Sequence, residues 1–307
     1  SVILDAPTVS TDFSYYLTDG FNERALGFYV NTGGGDRHGD GQFASGHMLA
    51  SSGKNLFIVT GPEGKDLNGG GDVGSDDSTI GVGNAYVSDY SVDLSVGSIP
   101  TVSLSLEAAN VRSDTEGAAI SNPAVKQSDG SSLAGDITLP APTSGPSTIK
   151  ALRPGDITVS LSNFDTDTVV DLAGDGAAHV QSVSLSMPLS RSPLQRLGSR
   201  FPFAREVDFP VNVSMSVSAI VNEDTAFNLS DKLTASAQNA TVTLKNKTGG
   251  EAMLFTLKGA KVDSESMSSS IGGNKTVDLT LSAQVGGLLD TAAGLFVSGA
   301  NTTTAFE

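Results

Sequence analysis

Strict alternation of apolar and polar residues is the sequence feature that most constrains how this chain can fold. Valine, methionine and alanine alternate with asparagine and serine over residues 211–219, and a similar alternation runs over residues 277–285. Residues 102–108, 157–161 and 183–187 repeat the pattern. Because successive side chains of a β-strand point to opposite faces of a sheet, this period of two predicts strands with one face on a core and one polar face.

The amino-acid composition favours the same fold class. Hydrophobic residues make up 38% of the 307-residue chain and charged residues only 17%, so much of the polarity comes from Ser, Thr, Gly and Asn. Such residues suit strands and tight turns, whereas long solvated helices favour Glu, Lys and Arg. Helical patterns are few, at Phe21–Tyr29, at Pro193–Leu197 and, weakened by glycines, at residues 285–296. We therefore predict an all-β protein of antiparallel strands with a few short helices.

An internal repeat is the second strong constraint. Residues 85–108 and 260–283 align without a gap. The identical positions are Ala85/Ala260, Val87/Val262, Ser91/Ser266, Ser95/Ser270, Gly97/Gly272, Thr101/Thr276, Val102/Val277, Leu104/Leu279, Leu106/Leu281 and Ala108/Ala283. Each copy predicts a strand, a glycine bend and a second strand, and a weaker third copy begins at Ala178, interrupted by an insert at residues 191–209. Duplicated β units indicate duplicated domains, which suit a protein that builds a ring or lattice.

Loop-forming stretches divide the chain. Residues 33–46 are rich in glycine, residues 61–79 are rich in glycine and aspartate, and residues 117–154 are rich in Ser, Gly and Pro. The last of these is the best candidate for an interdomain connection or a long projecting loop. The predicted organisation is a first β domain at 1–125, a linker or loop at 126–154 and a second β domain at 155–307.

No recognisable motif predicts catalysis. Cysteine is absent, which excludes disulfides and thiolate metal sites. The G-x-S-x-G pattern of a nucleophile elbow does not occur, and the G-x-G-x-x-G match at residues 69–74 is not followed by the helical pattern that a dinucleotide site requires. Paired catalytic carboxylates cannot be recognised from sequence alone, so an enzyme is the last of the alternatives. We expect neither an enzyme nor a cofactor.

Two loops contain potential metal ligands. They are His38, His47, Asp36 and Asp40 in the first loop, and Asp72, Asp76 and Asp77 in the second. The histidines lack the His-x-His or HExxH spacing of zinc sites, and the second group does not fit the spacing of an EF-hand calcium loop. We interpret the histidines as solvated loop residues and the aspartates as an acidic solvated loop, and expect no metal.

The net charge is −16, from 34 acidic and 18 basic residues. Because DNA binding depends on neutralising phosphates, this charge argues against nucleic acid as a specific ligand, although solubility alone also explains it. The basic residues concentrate in the insert, at Arg191, Arg196, Arg200 and Arg205. Three interpretations stay open: nucleic-acid binding, which lacks interleaved aromatic residues here; a solvated loop; and, as the favoured one, contacts with carboxylates of a neighbouring subunit.

The sequence predicts no membrane insertion. Its longest apolar stretches are far shorter than the roughly 18 residues that a transmembrane helix needs. A basic segment followed by an apolar one does not open the chain, so no signal peptide is predicted either.

Three stretches, residues 56–111, 179–221 and 254–286, resemble the tail tube proteins of long-tailed bacteriophages and related structural proteins of these phages. They cover a bit under half of the chain and share patterns of strand and turn. The resemblance implies β-sandwich or split-barrel domains that assemble into stacked rings around a channel for DNA, often with six domains per ring. This chain is long and duplicated, so either a trimer of two-domain chains imitates a hexameric ring, or one tube domain carries an outer decoration.

The resemblance implies a virion tail tube subunit that is assembled in the host bacterial cytoplasm. Its partners would be further copies of itself, other tail proteins and, where the tail has one, a sheath. Genomic DNA would pass through without specific binding, because surplus carboxylate keeps the wall from binding phosphate. Candidate lumen-facing acids on polar strand faces are Asp93, Glu107 and Asp278. The alternatives are another phage component, such as a neck, baseplate or capsid decoration protein, and a secreted β-rich adhesin or surface-layer module.

Overall fold

The computed structural model of the chain consists mainly of β-strands. It describes residues 8–31, 41–49, 53–64, 78–114, 120–126, 131–133, 135–137, 152, 157–160, 179–198, 201–202, 204–220, 237–245, 250–270 and 272–300. The described helices are α1 (Phe21–Ala25) and α2 (Ser45–Leu49). The described strands are β1 (Val9–Tyr16), β2 (Lys54–Thr60), β3 (Ser78–Ser95), β4 (Thr101–Ala108), β5 (Asn110–Asp114), β6 (Ile120–Ser121), β7 (Asp136–Ile137), β8 (Ile157–Ser160), β9 (His179–Pro188), β10 (Arg191–Leu194), β11 (Ala204–Val207), β12 (Val211–Ile220), β13 (Gln238–Lys245), β14 (Glu251–Ser268), β15 (Thr276–Val285) and β16 (Gly294–Gly299).

One long sheet organises the fold, which confirms the predicted all-β class. Its central part, which we call the main sheet, contains β1, β4, β3, β9, β12, β15 and β14 in that spatial order. Each of these strands is antiparallel to its neighbours, and the sheet curls into a half-barrel. The pairs β6–β7 and β10–β11 form two small separate sheets.

The long strands β3 and β14 connect the main sheet to two smaller sheets. Each is 18 residues long, and its two halves pair with different partners. The first half of β3 pairs with β2 and β5 in what we call the first outer sheet. The first half of β14 pairs with β13 and β16, and β8 extends this second outer sheet. A core of buried side chains includes residues from the main sheet and from both outer sheets.

The apolar face of the main sheet supplies much of this core. In β12, every second residue from Val211 to Ala219 is buried, whereas the residues between them are partly or fully exposed. Burying a side chain of the size of valine or leucine contributes about 1.5–3 kcal/mol. A slip of the strand by one residue would bury the serines instead, so the alternation fixes which way each strand faces.

The internal repeat is a structural repeat. Both copies are hairpins, β3–β4 and β14–β15, and aligned residues occupy the same cross-strand positions along their whole paired length. Each hairpin contains a β-bulge at the same place, immediately after Val87 and Val262. Gly97 and Gly272 lie in the two connecting turns with φ angles of 85° and 82°, a left-handed conformation that glycine adopts without strain.

The strands around the two hairpins repeat as well. β1 pairs with β4 as β12 pairs with β15, and β2 and β5 flank β3 as β13 and β16 flank β14. We call β1–β5 the first unit and β12–β16 the second unit. β9 joins them, because it pairs with β3 on one side and with β12 on the other. Both units thus share one sheet. Leu152, which belongs to the predicted linker at 126–154, is buried in the core. The predicted boundaries between the two domains and the linker stay a prediction.

The helix predictions were less accurate. Helix α1 confirms part of the pattern at Phe21–Tyr29, whereas α2 was not predicted. Pro193–Leu197 does not start a helix, because Pro193 and Leu194 pair with β11. Residues 285–296 do not form a helix either: they are the end of β15, a turn and the start of β16, where Gly294 has a φ of 119°.

Candidate functional site: the polar face of the main sheet

Serine and threonine cover the face of the main sheet that is opposite the core, which we call the polar face. One row across the sheet contains Ser14, Ser103, Ser91, Ser186, Ser214, Ser282 and Lys261, each opposite the next. The adjacent row contains Tyr16, Thr101, Asp93, Ser184, Ser216, Thr280 and Ser264. The alternation that buries one face therefore presents a continuous band of hydroxyl groups on the other.

Some of these hydroxyl groups contact one another. The Ser216 and Thr280 hydroxyl oxygens lie 3.5 Å apart, and those of Ser268 and Thr276 lie 2.6 Å apart. A hydroxyl group both donates and accepts hydrogen bonds, so such pairs satisfy each other without a charge. The hydroxyl pairs themselves carry none of the positive charge on which phosphate binding depends.

Acidic side chains dominate the charge of the polar face. Its acids are Asp12, Asp89, Asp93, Glu107 and Asp278. Within the described strands of the main sheet, Lys261 is the only lysine or arginine on this face. Partial burial raises the pKa of Asp89 above its ordinary value. The three acids singled out from the sequence thus share one face, and their position at a lumen stays a prediction.

Two arginines of the insert form hydrogen bonds with other residues of the same chain. The Arg205 guanidinium donates a hydrogen bond of 3.2 Å to Glu107 Oε2, and the arginine side chain is far less exposed than the glutamate. Arg191 donates to the carbonyl oxygens of His47, at 2.6 Å, and Arg205, at 3.0 Å. Its guanidinium also lies 4.8 Å from the centre of the Tyr86 ring, and burial lowers its pKa. These contacts fasten the β10–β11 hairpin to β3, β4 and α2.

The other two arginines are placed differently. Arg196 is exposed beyond the end of β10, and Arg200 lies outside the described residues. The sequence could not reveal the partner of Arg205, because Glu107 is 98 positions away. The role of the insert at a subunit interface stays a prediction.

A buried carboxyl group lies on the core side of the sheet. Glu23 of α1 is fully buried, and its Oε1 accepts hydrogen bonds from the hydroxyls of Tyr15, at 2.9 Å, and Tyr90, at 3.4 Å. Among the described residues, its Oε2 has no hydrogen-bond partner. Burial raises the pKa of Glu23 from 4.5 to about 7, against the opposing effect of the hydrogen bonds. Burial and the nearby carboxyl also raise the pKa of both tyrosines. Glu23 thus ties α1 to β1 and β3.

His47 is not the solvated loop residue that we predicted from the sequence. It belongs to α2 and is buried against Phe28, with ring centres 4.4 Å apart. Phe28 in turn stacks on Phe43 at 4.1 Å, and this aromatic cluster explains the burial. Burial, followed by the charges of Arg191 and Lys54, lowers the pKa of His47 to about 3. His38 and the aspartates of both predicted loops lie outside the described residues.

The described ranges contain neither a metal-binding cluster nor a membrane-spanning helix. No group of three or more His, Asp or Glu side chains there is placed to hold a metal ion. None of the described helices has the length and apolar character needed to cross a membrane.

Comparison with solved structures found a weak similarity to a baseplate chain. No protein-family model matches the chain, and no curated protein matches it. The neighbour is a chain in the cryo-EM structure of the anti-feeding prophage baseplate, 6-fold symmetrised; it shows 17% sequence identity, and the match covers 38% of this chain and 78% of that one at a TM-score of 0.29. A likeness at that TM-score does not bear on function.

Proposed function

We propose that the protein is a structural component of a phage particle, and more specifically a tail tube subunit that assembles into stacked rings around a DNA channel. The observation that carries this proposal is the polar face: a hydroxyl-covered, acidic surface that runs across two repeated units in one curved sheet. The resemblance of residues 56–111, 179–221 and 254–286 to tail tube proteins supports the same role. The proposal assigns the chain no catalytic activity and no cofactor.

Open sheet edges support self-assembly. Within the described part of the chain, β1 pairs only with β4, and residues 261–268 of β14 pair only with β15. Phe13 on β1 is 37% exposed although its cross-strand partner Leu104 is buried. Unpaired edges of this length favour pairing with another chain, and a closed ring removes them.

The polar face supports a channel that passes DNA. Duplex DNA carries one negative charge per roughly 1.7 Å of its axis, so a basic wall would bind it at every ring. Hydroxyl groups with surplus carboxylates repel phosphate weakly, over roughly 8–10 Å at physiological salt. DNA could then slide through without specific binding.

The duplication supports a trimer. Two units of the same topology lie side by side in each chain, so three chains would place six units in a ring. A hexamer of whole chains remains the other assembly to test. The particle would be assembled in the host bacterial cytoplasm with other tail proteins and, in a contractile tail, a sheath.

Electron microscopy and DNA binding test the proposal together. We expect the purified protein to form rings or tubes of uniform diameter that do not retain duplex DNA at physiological salt. Tubes of the variant carrying Asp93→Lys and Asp278→Lys should bind DNA and release it as salt rises. The matched control is Glu63→Lys, which reverses the charge of an exposed residue in the loop after β2. Monodisperse monomers at all concentrations, or DNA retention by wild-type tubes, would contradict the proposal and favour another particle component.

A further inference from the structure

The first and second outer sheets differ at equivalent positions. Because the two units share register, Ile80 of β3 corresponds to Phe255 of β14, and their cross-strand partners Ile58 and Val242 correspond as well. Ile80 is 38% exposed and Ile58 47% exposed, whereas Phe255 and Val242 are both 0% exposed.

A third pair of positions shows the same difference. Val111 of β5 lies opposite Val82 of β3 as Leu295 of β16 lies opposite Leu257 of β14. Val111 is 52% exposed, whereas Leu295 is 0% exposed. The first outer sheet therefore has an open apolar face, formed by Ile58, Ile80 and Val111, where the second outer sheet is closed. We call it the open face.

The second outer sheet is covered by a segment of the first unit. This covering segment, residues 17–31 and 41–49, lies between β1 and β2 in the sequence and contacts β16: the Phe43 amide donates to the Leu295 carbonyl at 2.8 Å, and the Gly299 amide donates to the Asn31 carbonyl at 3.0 Å. A Cβ built on Gly20 would lie 4.0 Å from the Met253 side chain. The segment between β1 and β2 of the first unit thus packs on the second unit, which follows the first unit in the strand order of the main sheet.

At the other end of the main sheet, on β14, an apolar side chain is exposed where its counterpart in the first unit is buried. Met267 of β14 occupies the position of Val92 in β3, and it is 54% exposed whereas Val92 is 0% exposed. Val92 has a paired strand on each side, with Val102 of β4 and Leu185 of β9 opposite it, whereas Met267 is paired, within the described part of the chain, only with Val277 of β15. After β14 no further unit follows among the described strands. The described main sheet therefore ends at β14 with a surface that a following unit would bury, and the first outer sheet, in the other unit, has a face that a preceding unit would cover.

We infer that the open face is a docking surface for a second copy of this chain, in a head-to-tail arrangement in which the second unit of one copy precedes the first unit of the next. The contact within one chain is the model for the contact between copies. Within the chain, the covering segment of the first unit packs on the second outer sheet; between copies, a segment of the second unit would pack on the first outer sheet of the next copy. The inference refines the proposed self-assembly and rests on it. It assigns the contact to the outer sheet, away from the polar face.

A charge on the open face tests the inference. Ile80→Asp should weaken self-association by about tenfold or more, because the contact would bury an unpaired carboxylate in apolar surroundings. Leu289→Asp is the matched control: Leu289 is more exposed, at 74%, but lies in the turn between β15 and β16. Sedimentation velocity across a concentration series measures both variants. Equal weakening of both, or of neither, would overturn the inference.

A thiol-labelling experiment tests the same inference without an introduced charge, so its result does not depend on whether the Ile80→Asp variant folds. The chain has no cysteine, so Ile58→Cys creates a single reactive thiol, and Leu289→Cys provides the control. We expect the thiol at position 58 to react with a maleimide in the monomer and to be protected in the assembled protein, while position 289 reacts in both. Assemblies in which position 58 still reacts would overturn this inference and leave the proposed tube role standing. A protein that never assembles would overturn both.

Discussion

The buried carboxyl group of Glu23 should contribute a stabilisation that is lost as pH rises toward neutrality. The folded-state pKa of about 7 lies above the ordinary value of 4.5, so the folded protein binds more protons than the unfolded chain between these values. The stabilisation is fully present below about pH 4.5 and is lost as pH rises through about 7. One pKa unit corresponds to about 1.4 kcal/mol, so the loss amounts to about 3 kcal/mol.

Replacement of Glu23 by Gln should remove this dependence. The glutamine oxygen can still accept hydrogen bonds from Tyr15 and Tyr90, and its amide carries no charge to desolvate. We expect Glu23→Gln to gain stability relative to wild type as pH rises from 4.5 to 7, by about 3 kcal/mol over the window.

Urea unfolding at a series of pH values measures this difference, in which the other titrating groups cancel. The control is Glu63→Gln, which makes the same substitution at an exposed residue in the loop after β2. A constant difference between Glu23→Gln and wild type across the window would refute the account of the buried carboxyl group.

Three further predictions follow from other parts of the fold. His47→Gln should become more stable relative to wild type as pH falls from 6.5 toward about 3, because the buried imidazole has a lowered pKa; parallel acid-unfolding curves would contradict this. Gly97→Ala and Gly272→Ala should each cost about 1 kcal/mol in thermal unfolding, since both positions have positive φ and open space around them; clearly unequal costs would contradict their equivalence. A double-mutant cycle on Arg205 and Glu107 should give a coupling of at most about 1 kcal/mol, because the glutamate side chain is 47% exposed; a larger coupling would show that solvent does not screen the pair.

The alternation and the repeat predicted the main features of the fold because both depend on local sequence. Residues 211–219 could be assigned one buried face before the structure was known, since the period of strands is two. The polar face follows from the same rule. Which acids share that face depends on the register between strands, and the sequence alone does not specify register for strands far apart in the chain.

Contacts between distant segments could not be predicted. His47 is buried against Phe28, which in turn stacks on Phe43. The covering segment contacts β16, which lies more than two hundred positions away in the sequence. The partner of Arg205 was expected on another subunit, whereas the structure provides Glu107 of the same chain. The difference between the open and closed outer sheets required burial values at equivalent positions, which no sequence pattern contains.

The strand pairing between neighbouring copies in a ring should differ from the strand pairing that connects the two units of one chain. Six successive antiparallel pairings connect β1 to β14, so the two end strands run in the same direction. In a ring with rotational symmetry, β14 of one copy and β1 of the next would therefore meet in parallel, unless another strand takes the place that β9 holds between β3 and β12. A parallel pairing is slightly less stable per residue than an antiparallel one. The ring should accordingly open between chains before it opens within them, and dilution should release intact folded chains whose two units unfold together at higher denaturant. Release of separately unfolded units on dilution would contradict this order.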